Sequence, residues 1–249
     1  MVRSLLVRGM LAGLLAGLLA TGFARLVGEP PVDRAIAFEA ARHAQAGDAD
    51  EPELVSRAVQ STVGLLTGVV VYGTALGGLF ALAYAGAYGR IGGRMGRLPP
   101  RAVAALLAAA GFVVLVVVPQ LKYPANPPSV GEPETIGLRT ALYFGLLAVS
   151  VLAACAAAGT GRALRARLGA WNAALVAAAA YLLCMVAAGF VLAPVNEVPP
   201  GFPADLLWRF RLASLGTEAV LWTTLGLVFG LLAERLTATR PFRALPARL

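Results

Sequence analysis

The chain has 249 residues, 59% of them hydrophobic and 14% charged, with a mean hydropathy of +0.76 and a formal net charge of +8 at pH 7. Soluble domains run near 45–50% apolar and about 25% charged, so a water-soluble monomer is excluded, and so is disorder, which needs low hydrophobicity and high charge. Two Cys in a chain of this length exclude a small disulfide scaffold.

A helix of about 20 apolar residues crosses roughly 30 Å of hydrocarbon. Six stretches qualify, at about 5–27, 61–88, 102–121, 140–161, 168–193 and 212–233. They predict an all-α polytopic integral membrane protein, a single transmembrane domain over residues 1–249. Its six transmembrane helices would form three outward-facing helical hairpins, with extracytoplasmic loops at 28–60, 122–139 and 194–211.

In the first span Gly9, Gly13 and Gly17 recur every four residues, the spacing of a close helix-packing face. Arg3, Arg8 and the small residues at Ala20–Ala24 also resemble a signal peptide. The glycine face favours a retained helix. Its loop carries "GEPPVDRA" at Gly28–Ala35, and a short amphipathic helix on the outer surface is expected around Arg34–Gln45. There Glu39 and His43 sit four apart on one face. That spacing suits a metal pair, but a solvated acid–His pair is the favoured reading. Pairs of glycines four apart recur at Gly64 and Gly68, Gly73 and Gly77, and Gly226 and Gly230.

The second and third outer loops are rich in proline: "PQLKYPANPPSVGEPE" at Pro119–Glu134 and "APVNEVPPGFPADLLWRFR" at Ala193–Arg211. Proline fixes φ, removes a donor and extends the residue before it, so these loops are stiff and present Asn126, Asn196 and Glu197 together with bare carbonyls. Oxygen donors of this kind suit hard divalent cations. Lys122 would repel a metal unless an acid such as Glu197 or Glu134 pairs with it. Tyr123, Phe202, Trp208 and Phe210 fit an interfacial aromatic belt. Arg57, Arg139 and Arg211 each open an even-numbered span beside a hydroxyl residue, which fits a degenerate triple repeat as well as a shared helix-end constraint.

The sixth span contains one charge, Glu218. Intramembrane carboxylates face a cavity or a partner, so Glu218 is either an ion or proton site or one half of a structural pair with Arg139 or Arg211. Cys155 and Cys184 lie inside the fourth and fifth spans, outside any C-x-x-C pattern, and read as small buried hydrophobes.

Thirteen of the 21 basic residues fall in the N-terminus (Arg3, Arg8), the second inter-span segment (Arg90, Arg94, Arg97, Arg101), the fourth (Arg162, Arg165, Arg167) and the C-terminus (Arg235, Arg240, Arg243, Arg248). The positive-inside rule puts these segments, and both termini, in the cytoplasm. The basic residues therefore have a topological task, and nucleic acid is not an expected partner. His43 is the only histidine and no phosphate-binding glycine loop follows a strand, so the residues predict no enzyme.

"PQLKYPANPPSVG" after the third span, "APVNEVPPGFPADLLWRFRLASLGTEAVLWTTLG" into the sixth and the opening "RGMLAGLLAGLLA" resemble the cobalt transporter subunit family CbtA, over essentially the whole chain. The resemblance implies a bacterial inner-membrane protein of B12-linked cobalt uptake, with Co²⁺ as cargo and no permanently bound cofactor. It also implies a small single-span partner with a histidine-rich end, CbtB-like, that captures the metal. It transfers no ligand residues. The sites therefore rest on the residues themselves: Glu218, Glu197, Asn196, Asn126 and His43 toward metal, and Lys122, Arg139 and Arg211 as charge partners. A homo-oligomer and a non-transporting membrane scaffold stay open.

Overall fold

The structure, a computed structural model, describes residues 2–46, 55–88, 98–128, 130–131 and 133–238. Among them the regular elements are helical: α1 Val2–Phe23, α2 Glu29–Ala46, α3 Arg57–Val59, α4 Leu65–Ala87, α5 Pro100–Phe112, α6 Val118–Lys122, α7 Ile136–Val191 and α8 Ala204–Ala238. Joined through tight turns they give five continuous helices long and apolar enough to cross a membrane. Arg90, Arg94, Arg97, Arg240, Arg243, Arg248 and Pro52 lie outside the described residues.

The break expected after Val27, with a separate surface helix over Arg34–Gln45, does not form. α1 passes into α2 through a π turn at Ala24–Gly28. Pro30 and Pro31 have no N–H to give. The wider turn ahead of them lets the Glu29 N–H reach the Ala24 carbonyl, and the prolines fall in the first turn of α2, where a missing donor is tolerated.

The same device recurs at a π turn over Val113–Val117, which joins α5 to α6. Its pattern sends the Val118 N–H to the Val113 carbonyl. The next carbonyl, Val114, would look to residue 119, which is proline. The buried Ser150 hydroxyl donates to it instead, at 2.7 Å. A third π turn, Gln60–Gly64, joins α3 to α4, so this helix begins at Arg57 rather than Ser61.

α7 is 56 residues long, about 84 Å if straight and nearly three times the hydrocarbon thickness. It covers both stretches expected as the fourth and fifth spans, with Arg162, Arg165 and Arg167 helical rather than in a loop. It is not straight: Gly169 has φ 76° and ψ 169°, outside the helical region. Ser150 and Tyr181 would stand about 46 Å apart on a continuous rod, yet their hydroxyls lie 2.9 Å apart. Leu146 and Met185 share one buried cluster with Tyr123. α7 therefore folds back on itself.

α8 starts at Ala204, well before Leu212, so Arg211 is helical rather than the end of a loop. The start is set locally. The Phe202 N–H donates to the Pro199 carbonyl at 3.1 Å across Pro200 and Gly201, and Gly201 has φ 79°. Proline then glycine is what a type II turn requires. Pro203 and Asp205 follow, the acid lying in the first helical turn, where the dipole favours it.

The chain divides into two compact units. The first gathers α1, α3, α4, α5 to Gly111 and α8 from Gly216. Its main seam is α1 on α4. A Cβ on Gly73 would stand 2.7 Å from the Gly13 carbonyl oxygen, and one on Gly17 would stand 2.9 Å from that of Val69. A Cβ on Gly9 would fall on the Gly77 carbonyl. Gly226 and Gly230 of α8 meet Ala108, Ala104 and Arg101 of α5 in the same manner, while Gly68 has nothing within 4 Å and Gly64 only the Val59 carbonyl of its own helix. Phe80 and Tyr84 pack edge-on against Phe229, at centroid distances of 5.3 and 4.9 Å. Glu29 pairs with Arg57 and, at 3.8 Å, with Arg25.

The second unit gathers α2 from Pro30 with the chain from Phe112 to Leu215. Ala35, Val130, Phe202 and Leu206 form one buried cluster, with Phe38 edge-on to Phe202 at 5.0 Å. Tyr123 and Phe202, expected in an interfacial belt, are core residues, whereas Trp208 is exposed. Cys155 and Cys184, expected to be buried, are exposed on α7 as free thiols, because they sit on faces that the folded-back pair leaves outward.

Candidate functional site

The site is built on the two proline-rich segments of the second unit: the residues between α6 and α7, and those between α7 and α8. Proline leaves their carbonyls without helical donors, and long side chains supply the missing bonds. Arg211 on α8 donates from Nε to the Ala125 carbonyl at 3.3 Å and from Nη2 to Asn126 Oδ1 at 3.0 Å. The Tyr123 hydroxyl donates to the Ala193 carbonyl at 2.8 Å. Burial raises the Tyr123 phenol above its ordinary pKa, so it remains a donor at physiological pH.

Arg139, in the first turns of α7, forms an ion pair with Glu197, and the Thr135 hydroxyl donates to the same carboxylate. The Glu197 side chain is 4% exposed. Gly131 makes room for this pair: it has φ 152°, and a Cβ there would come within 2.6 Å of Arg139 Nη1. Asn196 Oδ1 accepts weakly from the Val198 N–H, at 3.4 Å. The clasp is reciprocal. Arg139, beside the first proline-rich segment, holds an acid of the second. Arg211, beyond the second, holds the first.

Between these groups lies a cavity of about 820 Å³. Asn126, Arg139, Asn196, Glu197 and Arg211 all line it, so five of the residues singled out in sequence converge on one place. Three do not. Lys122 does not line it and pairs with neither suggested acid; its ammonium lies 5.9 Å from the centre of the Tyr123 ring. His43 is exposed on α2, although Glu39, one turn before it, lines the cavity. Glu218 belongs to the first unit.

Within the second unit Arg139 holds Glu197 and Arg211 holds Asn126; Glu218 lies on the part of α8 that belongs to the first. Its Oε2 and Nε1 of Trp222, one turn on along α8, are buried, and neither makes a hydrogen bond of ordinary geometry among the described residues, although the indole is a polar neighbour of the carboxylate. Among the described residues no group of three His, Cys, Asp or Glu is placed to hold a metal ion.

Sequence reasoning missed Thr135 as a ligand of Glu197 and Glu29 as the partner of Arg57. The second carried a signal, an acid in the first proline-rich stretch and an arginine heading the next helix. The first carried none, because Thr135 and Glu197 are brought together only by the fold-back of α7.

No curated protein and no solved structure matches the chain. A family model does, over residues 2–234, and its description is "Probable cobalt transporter subunit (CbtA)". Five of its helices have membrane-crossing length and composition, and with nearly all of its length matched by that model the chain belongs to the CbtA family.

Proposed function

We propose that this chain is the membrane subunit of a divalent-metal uptake system, with cobalt as cargo, that serves vitamin B12 metabolism. In this reading it is a single domain that crosses the bacterial cytoplasmic membrane six times, α7 supplying two crossings. Both termini are cytoplasmic, and the proline-rich segments face outward. A small histidine-rich membrane subunit of the CbtB kind would capture the metal, which accounts for a transport chain with one histidine. No catalytic role is assigned.

The observation that carries the reading is Glu218. A carboxylate oxygen is buried inside an apolar helix of a chain in this family, with no hydrogen bond of ordinary geometry among the described residues and the Trp222 indole as a polar neighbour. Carboxylates are costly in hydrocarbon and mark ion and proton pathways. Glu218 would bind or relay charge there, with Asn126, Asn196 and Glu197 at the entrance. One carboxylate falls short of the six oxygen ligands of a hard cation, so waters or the partner subunit must complete any shell.

The second reading is a non-transporting scaffold. One observation favours it: Glu197 and Asn126 are engaged by Arg139 and Arg211, which makes them structural. Uptake of radioactive Co²⁺ into proteoliposomes, with and without the small partner, separates the two. The transport reading expects uptake by the wild type and at least a tenfold loss in E218Q. If the wild type moves no cobalt in either condition, the scaffold reading stands. If E218Q and E197Q both keep full uptake, the site assignment fails.

A further inference from the structure

Arg211 differs from the other arginines that anchor this fold. Arg57 holds Glu29, Arg139 holds Glu197 and Arg101 holds Glu234. The partners of Arg211 are a backbone carbonyl and an amide oxygen, and no acid among the described residues lies within ion-pair distance of it. A half-buried guanidinium therefore faces the cavity with its charge uncompensated and part of its donor set uncommitted. Removing such a charge from water is costly unless a counter-ion answers it. A ligand carboxylate fits the planar fork of donors.

The cavity is also the wrong size for a bare ion. Six waters at about 30 Å³ each give a hydrated cation of roughly 180 Å³, against about 820 Å³ here. Volumes of about 300–1,000 Å³ are those of small-molecule sites. The walls agree. Tyr123, Pro124 and Phe144 provide apolar surface, and Thr140 and Ser214 provide hydroxyls near the charged groups.

The acids on the wall decide what kind of anion is taken. Glu197 is neutralised by Arg139. Glu39 has no ion-pair partner among the described residues. It would repel a purely anionic ligand and would favour one that also carries positive charge. We infer that this cavity binds a divalent cation as a chelate of a small organic carboxylic acid, with the ligand carboxylate on Arg211 and the metal-bearing side toward Glu39. This deepens the uptake reading by naming the form in which metal is presented. It rests on that reading for the metal alone.

The test is equilibrium binding by the full chain in phosphatidylcholine nanodiscs, with CoCl₂, citrate and the Co²⁺–citrate complex as probes. The complex should bind at least tenfold more tightly than either component. R211Q should weaken it at least tenfold, while R211K, which keeps the charge but loses the planar fork, should fall between R211Q and the wild type. S214L, which narrows the cavity without removing the guanidinium, should also weaken it. CoCl₂ binding as tightly as the complex would overturn the inference, as would R211Q binding like the wild type. Discs containing phosphatidylglycerol guard against a lipid occupant: if the anionic headgroup abolishes binding of the complex, Arg211 serves a lipid and the inference fails. Loss of cobalt uptake with binding intact would sink the transport reading and leave this site standing.

Discussion

The Arg139 guanidinium reaches the Glu197 carboxylate across two proline-rich segments that are 58 residues apart in sequence at these positions. The acid is almost wholly out of solvent, and the arginine is one-third exposed. Together with Arg211 on Asn126 this makes a two-way clasp, each segment gripped from a helix beyond the other. Stiff loops without regular structure thereby acquire a fixed geometry, which a cavity with a defined wall requires.

Removing one half of the clasp leaves a buried carboxylate with only the Thr135 hydroxyl. R139Q is expected to lower stability by about 3 kcal/mol, the lower end for breaking a buried pair, because the guanidinium is partly solvated. The check is thermal unfolding in detergent. The double variant R139Q/E197Q should recover more than half of the loss, since the uncompensated charge goes with it. Equal losses in the single and double variants would mean that the pair adds nothing beyond packing.

The glycine spacings make opposite predictions at two sites on one helix. At Gly73 a methyl group would meet the Gly13 carbonyl oxygen at 2.7 Å and Gly17 Cα at 3.1 Å. G73A should destabilise by about 1–3 kcal/mol, as overpacking does. At Gly68 nothing lies within 4 Å, so G68A should be neutral or stabilise by about 0.5–1 kcal/mol through helix propensity. Midpoints of thermal unfolding for the two variants should move in opposite directions.

These cases show what a sequence carries and what it withholds. Gly9, Gly13 and Gly17 repeat every four residues on an apolar helix, a local pattern with a direct packing consequence, and the structure uses all three against α4. Gly64 and Gly68 have the same spacing but, among the described residues, no neighbouring helix against them, because spacing marks a face and cannot say whether another helix lies on it. The continuation of α1 past Pro30 was hidden because proline ordinarily closes a helix, and the π turn that prevents this has no compositional signature. Asn126, Asn196 and Glu197 were legible as rigid oxygen donors. Their engagement by Arg139 and Arg211 was not, because it depends on contacts between distant segments.

The fold-back of α7 can be tested covalently. A Cβ on Gly161 would lie 3.1 Å from that of Ala177, close to the 3.5–4.5 Å that a disulfide spans. On a straight helix these residues would be about 24 Å apart. With Cys155 and Cys184 replaced by alanine, G161C/A177C should cross-link under mild oxidant in membranes, read as a mobility shift reversed by reductant. Failure to cross-link would return α7 to an unbroken rod and remove one of the six proposed crossings.

Glu218 offers the sharpest separation of stability from function. Its Oε2 and the nearby Trp222 Nε1 are buried polar atoms that make no hydrogen bond of ordinary geometry among the described residues, and a buried polar group left unsatisfied costs about 1–3 kcal/mol relative to a satisfied or apolar one. E218M keeps the volume and removes the carboxylate, so it should raise the unfolding midpoint. A residue kept for its fold would behave in the opposite way. Cobalt uptake by the same variant should fall at least tenfold, since an apolar side chain can neither hold a cation nor carry a proton. A protein that becomes more stable and less active by one substitution has a strained polar group at its working site. If E218M is instead less stable than the wild type, the carboxylate has a partner in the membrane, and its role is to hold helices together.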